Sequence, residues 1–251
     1  MNFKSIIVLA AIAATFVACQ KEEFPSSGTG TENGHSYVDL GLTSGTLWAT
    51  TNVGADNPQD FGNFYAWGET ETKDIYDWNS YKFSNDDDEN YHPANLYINK
   101  YTFADKESKS IWYNSKNVFI GDSLLELEPV DDVAVMKWGG KWRMPTRDQM
   151  TELREECNWK WEKYNGSEGY IVKGKNGNAI FLPAAGFKGT GDWLNGEFGY
   201  YWTRSLDYGK TGKSYCASGI YFTEKESLYR GFFHYRKFGQ SVRPVINTID
   251  K

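Results

Sequence analysis

The densest set of groups able to bind or react lies near the C-terminus, in Tyr229-Arg-Gly-Phe-Phe-His-Tyr-Arg-Lys-Phe238, where five aromatic rings and three cations share ten residues. Phe232, Phe233, His234 and Tyr235 are consecutive, and successive side chains of an extended chain point to opposite faces, so they cannot all turn inward. Some must face solvent or a ligand. Ring faces stack on sugars, peptides or apolar patches, and Arg236 adds a planar fork of donors. Tyr215, Ser218, Tyr221 and Phe238 belong to the same expected binding set, with Trp193 on a Gly-rich loop tip and Arg204 and Asp207 as polar orienting groups. For Phe232 and Phe238 the alternative is a strand that fills the core.

Covalent chemistry has fewer candidates. The three histidines are His35, His92 and His234, and no Ser motif, metal-spaced His pair or phosphate loop accompanies them. Without a nucleophile and a base placed to meet, no catalytic residue, cofactor or metal ligand is expected. Asp86, Asp88 and Asn90 have the spacing that opens a calcium loop, but Tyr91 stands where the turn glycine belongs and Tyr97 where the closing Glu belongs. That stretch reads better as a solvated acidic loop. Cys157 and Cys216 bridge only if the fold brings them together.

The elements that must position these groups are short. Asp131 and Asp132 are placed to cap a helix carrying Val133, Val135, Met136 and Trp138, stopped by Gly139-Gly140. Thr146 with Gln149 forms a capping box before a second helix, on which Met150, Leu153 and Cys157 share one face. Cys157 then reads as a buried hydrophobe. Extended segments are expected at 37–42 and 46–50 around a Ser44-Gly45 turn, and at 63–67. A C-terminal meander is expected over 170–173, 178–183, 199–203, 215–222 and 240–245, with Gly-rich turns between. Residues 70–130 read as an irregular insertion. Two helices flanking a small, twisted, mainly antiparallel sheet with long loops make an α+β domain. Trp48, Trp67, Trp138, Trp142 and Trp202 are expected as core pillars.

Lys and Arg number 27 against 33 Asp and Glu, a formal net charge of −6 with no basic run. That argues against nucleic acid, whose affinity rests on cations neutralising phosphates, and gives no support for docking to an anionic membrane surface. Aromatics at 17% (Trp 10, Tyr 17, Phe 15) supply the area for a sizeable core. Lys4, the apolar run from Ile6 to Ala14 and the small residue before Cys19 read as a secretory signal over residues 1–18, too short to span a membrane. Phe16-Val-Ala-Cys19 resembles a bacterial lipobox, implying that Cys19 is lipidated; a plain signal peptide cut near Ala18 is the alternative. Gln20-Lys-Glu-Glu23 resembles the short surface-export signal of Bacteroidetes lipoproteins, or is simply a charged tether. Residues 19–36 read as a flexible spacer, and 247–251 as a tail.

Seven ordered blocks carry a resemblance over residues 37–246: Tyr37-Val-Asp-Leu-Gly-Leu-Thr-Ser-Gly-Thr-Leu-Trp-Ala-Thr50, Asn52-Val-Gly-Ala55, Tyr65-Ala-Trp-Gly-Glu69, Trp138-Gly-Gly-Lys-Trp-Arg-Met-Pro-Thr146, Ile180-Phe-Leu-Pro-Ala-Ala-Gly186, Gly199-Tyr-Tyr-Trp202 and Ser241-Val-Arg-Pro-Val245. In this order they resemble the Fibrobacter succinogenes major paralogous domain. The resemblance implies a C-type lectin-like or formylglycine-generating-enzyme-like fold, ligands met by long loops and the last strands, and an outer-membrane or cell-surface setting. It also implies a pairing of Cys157 with a cysteine at position 51. This chain has Thr51 there, which leaves Cys216 as the internal alternative. The Glu-Pro-Asn and Trp-Asn-Asp segments through which sugar-binding relatives hold calcium are missing. The expected role is calcium-independent, non-covalent binding of a glycan or protein ligand. Lectin-like lipoproteins of this type are also targets of retroelement diversification, which would vary Tyr215, Cys216, Ser218, Tyr221, Phe232 to Tyr235 and Phe238. The alternative is a structural subunit of a fimbria or surface assembly, its partner covering the same patch.

Overall fold

Asn33 and Gly34 hold positive φ angles of 45° and 83°, the left-handed conformation that a two-residue hairpin turn requires and that Asn-Gly meets most readily. The turn joins β1 (Gly30–Glu32) to β2 (His35–Asp39), with Glu32 opposite His35. Residues 30–36 are therefore a paired hairpin and not spacer, a correction to the compositional reading. The computed structural model describes residues 28–84, 98–104, 112–189, 191–193, 196–208, 213–225 and 232–248, with only the backbone described at 192, 193, 232 and 233. The signal segment, Cys19 and the acidic 86–90 stretch lie outside the described residues.

β3 (Leu47–Ala49) and β12 (Val245–Ile246) complete a four-stranded sheet in the order β1-β2-β3-β12. Val38, Trp48 and Val245 stand opposite one another across it, all fully buried. Ends of the chain over 200 residues apart in sequence thus share one sheet.

Both expected helices form. In α1 (Val133–Trp138) the Asp132 carboxylate accepts the Ala134 and Val135 N–H groups and, at 2.9 Å, the Met144 N–H, so one cap ties the helix to the segment that leads out of it. A 3-10 turn over Pro129–Asp131 precedes it. In α2 (Arg147–Glu156) Thr146 and Gln149 form the reciprocal capping box. Met150 and Leu153 are buried.

The remaining strands form three small antiparallel sheets. β4 (Asn158–Tyr164), β5 (Ser167–Lys173) and β6 (Ala179–Pro183) make a meander, and β7 (Phe187–Lys188) pairs with β8 (Asp192–Trp193). β9 (Phe198–Leu206), β10 (Cys216–Thr223) and β11 (Phe232–Tyr235) form the third. The architecture is a mixed, sheet-rich α+β fold with two α-helices among the described residues. Two expected strands fall short. Segment 63–67 keeps only a bridge from Tyr65 to Gln240, and 240–245 has only bridges at Gln240 and Ser241 before β12 begins at Val245.

Reciprocal indole bonds tie segment 63–67 to β9. The Trp67 Nε1–H donates to the Thr203 carbonyl at 2.8 Å, and the Trp202 Nε1–H returns to the Tyr65 carbonyl at 2.9 Å. The Tyr65 carbonyl thus accepts both the Gln240 N–H and the Trp202 indole. All five expected Trp pillars are buried. The described parts of 70–130 lack strands, as expected, yet they are core: Tyr76, Trp78, Tyr81, Phe83, Ile98, Tyr101 and Trp112 pack with Trp67, Trp138 and Trp202 in one apolar cluster. A second cluster joins Val38, Trp48, Met150, Leu153, Tyr170, Tyr201 and Phe222.

Candidate functional site

Pairing of β9 with β10 sets Tyr200 opposite Tyr221 and Phe198 opposite Thr223, while the intervening pairs are Tyr201 with Ile220 and Gly199 with Phe222. The period-two alternation of a strand turns Tyr201, Ile220 and Phe222 into the core. Gly199 permits this, since a Cβ there would sit 2.0 Å from the Phe222 ring. Phe198, Tyr200 and Tyr221 are left half-buried on the other face.

There they form a run of rings. Phe198 and Tyr221 are stacked with centroids 6.2 Å apart, Tyr200 lies 4.9 Å from Tyr221, and His234 of β11 stacks on Tyr200 at 5.4 Å. Phe238 closes on His234 at 4.4 Å, and Phe187 of β7 meets Tyr200, His234 and Phe238 within 5.4 Å. Burial pushes the His234 pKa down to about 3, and burial together with Tyr221 pushes the Tyr200 phenol up to about 12. The ring run is therefore uncharged at neutral pH.

Beyond Phe198 the face opens into a groove of about 820 Å³. Its wall is shared by Trp161 of β4, Glu168 of β5, Phe198, Tyr221 and, at the strand ends, Glu197, Glu224 and Lys225. A volume in this range with aromatic walls and a few polar groups is the ordinary form of a ligand site.

The residues expected from sequence divide sharply. Tyr221, His234 and Phe238 belong to the ring run. Phe232 and Phe233 are placed by backbone only, opposite Gly219 and Ser218, and Trp193 pairs with Phe187. Tyr215, Ser218 and Arg236 are buried and leave the binding set. Ser218 donates to the Leu206 carbonyl at 3.1 Å, and Tyr235 packs against Trp78 and the first cluster. The Arg236 Nε donates to the Tyr81 hydroxyl, its Nη atoms to the carbonyls of Lys100, Tyr101 and Ser214, and its plane lies 4.6 Å from the Trp67 ring. Arg204 is held by the Leu127 carbonyl and by Glu126 at 3.1 Å. Burial raises the Asp207 carboxyl to about pH 6, against the backbone N–H of Lys213 and the nearby Arg147. None of these three charges reaches the groove lining. Conversely, sequence reasoning missed Trp161, Glu168, Glu197, Phe198, Tyr200, Glu224 and Lys225. Alternation in Trp159-Lys-Trp161 and Phe198-Gly-Tyr200 was the available signal.

Cys157 and Cys216 are both free thiols, in different apolar clusters. Burial and the neighbouring Glu156 and Glu152 push the Cys157 thiol up to about 11, and Cys216 is 2% exposed. Since the thiolate is the reactive form, we expect neither Cys157 nor Cys216 to label fast with an aromatic disulfide reagent at pH 7.5 in the folded chain, and both to label after unfolding in urea. Rapid labelling of Cys157 in the native protein would contradict this placement. Among the described residues no group of three or more His, Cys, Asp or Glu side chains is placed to hold a metal ion. No helix among them is long and apolar enough to cross a membrane.

Comparison with protein-family models, with characterised proteins and with solved structures returned no match to this chain. The functional reading therefore rests on the groove and the rings themselves.

Proposed function

We propose that this chain is a lipid-anchored surface protein with a C-type lectin-like fold that binds a glycan or protein ligand non-covalently along the β9–β11 ring face and its groove. The observation that carries the reading is the half-buried file Phe198, Tyr221, Tyr200, His234 and Phe238 ending in a groove of about 820 Å³. Exposed rings in contact with one another are a poor arrangement for solubility alone and a good one for recognition. The lipidated Cys19 and the outer-membrane surface location rest on the N-terminal motif, and the lectin-like fold on the seven sequence blocks. The reading assigns the protein no catalytic role and no cofactor.

The test is binding of the full chain to arrays of glycans and surface proteins, with calcium and with chelator, beside a Phe198→Ala/Tyr221→Ala variant. We expect chelator-resistant binding that falls about tenfold or more in the variant. Binding that survives in the variant would move the site elsewhere. Silence on the array, with capture only by a co-expressed surface-assembly subunit, would replace ligand recognition by a structural role.

A further inference from the structure

The groove has a charge character that the ring run lacks. Its side chains include three carboxylates, Glu168, Glu197 and Glu224, against one ammonium, Lys225, set around Trp161, Phe198 and Tyr221. Glu168 is only loosely engaged, 3.8 Å from the Lys163 ammonium, which is itself 65% exposed. Glu224 lies near enough to Tyr170, which borders the same wall, to help raise its phenol pKa. Aromatic faces carry negative quadrupole density and attract cations, most strongly on Trp. Rings and carboxylates therefore favour the same sign of ligand charge; a neutral sugar would stack on the rings and donate hydroxyls to the carboxylates, but would leave the surplus negative charge uncompensated.

We infer that the groove takes a positively charged segment of a partner protein, an arginine or lysine side chain seated against Trp161, Phe198 and Tyr221 among the three carboxylates. This deepens the proposed function and rests on the groove being the binding site. At about 820 Å³ and open to solvent, the groove has room for several residues of an extended chain. Arg suits it best, since its planar guanidinium stacks on rings and pairs two-pronged with carboxylates. The acidic excess of the whole chain, −6, steers the same partner toward it.

The test uses the full chain, purified in detergent, with three fluorescent probes: octa-arginine, an uncharged Ser-Gly peptide of equal length and a neutral hexasaccharide. Octa-arginine is expected to bind, more weakly as salt rises. Glu197→Gln/Glu224→Gln should weaken that binding about tenfold. An Asp56→Asn/Asp74→Asn control removes equal charge away from the groove and should change it little. Lys225→Gln should tighten binding about threefold, the sign that separates a cationic ligand from an anionic one. The inference is overturned by absence of octa-arginine binding, by a control that weakens it as much as the groove variant, or by a Lys225→Gln variant that binds less tightly. Hexasaccharide binding lost in Trp161→Ala but kept in Glu197→Gln/Glu224→Gln would overturn it while leaving the groove as the site. Octa-arginine binding indifferent to both Trp161→Ala and Tyr221→Ala would remove the groove reading as well.

Discussion

Arg243→Ala is expected to lower stability by about 4 kcal/mol or more, close to the whole margin of a typical domain. Arg243 is fully buried. Its Nε donates to Asn52 Oδ1 at 2.8 Å, Nη1 to the carbonyls of Ala49 and Thr50 at 3.1 Å, and Nη2 to the Phe181 carbonyl at 2.9 Å. One guanidinium thus joins the end of β3, the loop after it and β6. Asn52 extends the network through the Phe61 carbonyl and the Tyr201 hydroxyl, which itself donates to the Pro183 carbonyl at 2.8 Å. Burial lowers the Arg243 pKa to about 10, so it is still charged at neutral pH. Truncation leaves four acceptors dry and a cavity among three sheets. Arg243→Lys should recover only part of the loss, because a single ammonium cannot reach acceptors spread around a planar fork. Urea unfolding at pH 7.5 is the measurement, with a lower midpoint at unchanged slope as the expected result. An alanine variant within 1 kcal/mol of the parent would show that the network is dispensable.

Acid should weaken the fold through His234. The folded pKa is about 3 because the ring is buried among Phe187, Tyr200 and Phe238, whereas an unfolded histidine titrates near 6.5. Between these values the unfolded chain binds a proton that the folded chain refuses. The contribution is fully present above pH 6.5 and is lost progressively as pH falls toward 3. By pH 5 the loss from this group is about 2 kcal/mol. Nδ1 lies 2.7 Å from the Gln240 amide nitrogen, so the neutral ring has a hydrogen-bond partner in place. A His234→Gln variant should lose less stability than the parent between pH 7.5 and 5. Carboxylates titrate in both proteins, so the difference between the two slopes isolates the histidine. Equal slopes would mean that the ring is solvated and free to protonate.

Much of the local structure was legible because its causes are local. The Asp132 cap and the Thr146–Gln149 box satisfy helix-end N–H groups within three residues, so both helices could be read from side-chain chemistry alone. The Ser44-Gly45 turn is likewise present, with Gly45 at φ 71°. Asn33-Gly34 carried an equally local hairpin signal, but the Gly and Ser content around it read as spacer. β4 was missed although Trp159 and Trp161 are half-buried and alternate with exposed Asn158 and Lys160. Its alternating charges, Lys160 and Glu162, masked the pattern.

The aromatic and cationic cluster of 229–238 was recognised as unusual, but its division was not legible. Phe238 and His234 join the ring face, whereas Arg236, two residues away, is fully buried. Nothing near it in sequence announces that Tyr81, Tyr101 and Ser214 converge on its guanidinium, because those partners are 22 to 155 residues distant. The same holds for residues 70–130, whose lack of periodicity suggested a peripheral insertion. Rings such as Trp78 and Tyr81 need no regular strand to be buried once their polar atoms find partners, as the Tyr81 hydroxyl does at the Trp67 carbonyl.

The sequence alone determined the two capped helices, the strands that turn on Gly-rich loops, the identity of the Trp pillars and the absence of a paired nucleophile and base motif. It did so because capping, turn geometry and apolar alternation act over a few residues. Tertiary structure alone decided which faces those strands present. The groove draws Trp161, Glu168, Phe198 and Tyr221 from four strands, and their meeting depends on strand register and on long-range contacts such as those of Arg243. A one-residue slip in pairing would turn Phe198 and Tyr221 inward and Phe222 outward. The candidate site is thus a property of the pairing, written in no single stretch of the chain.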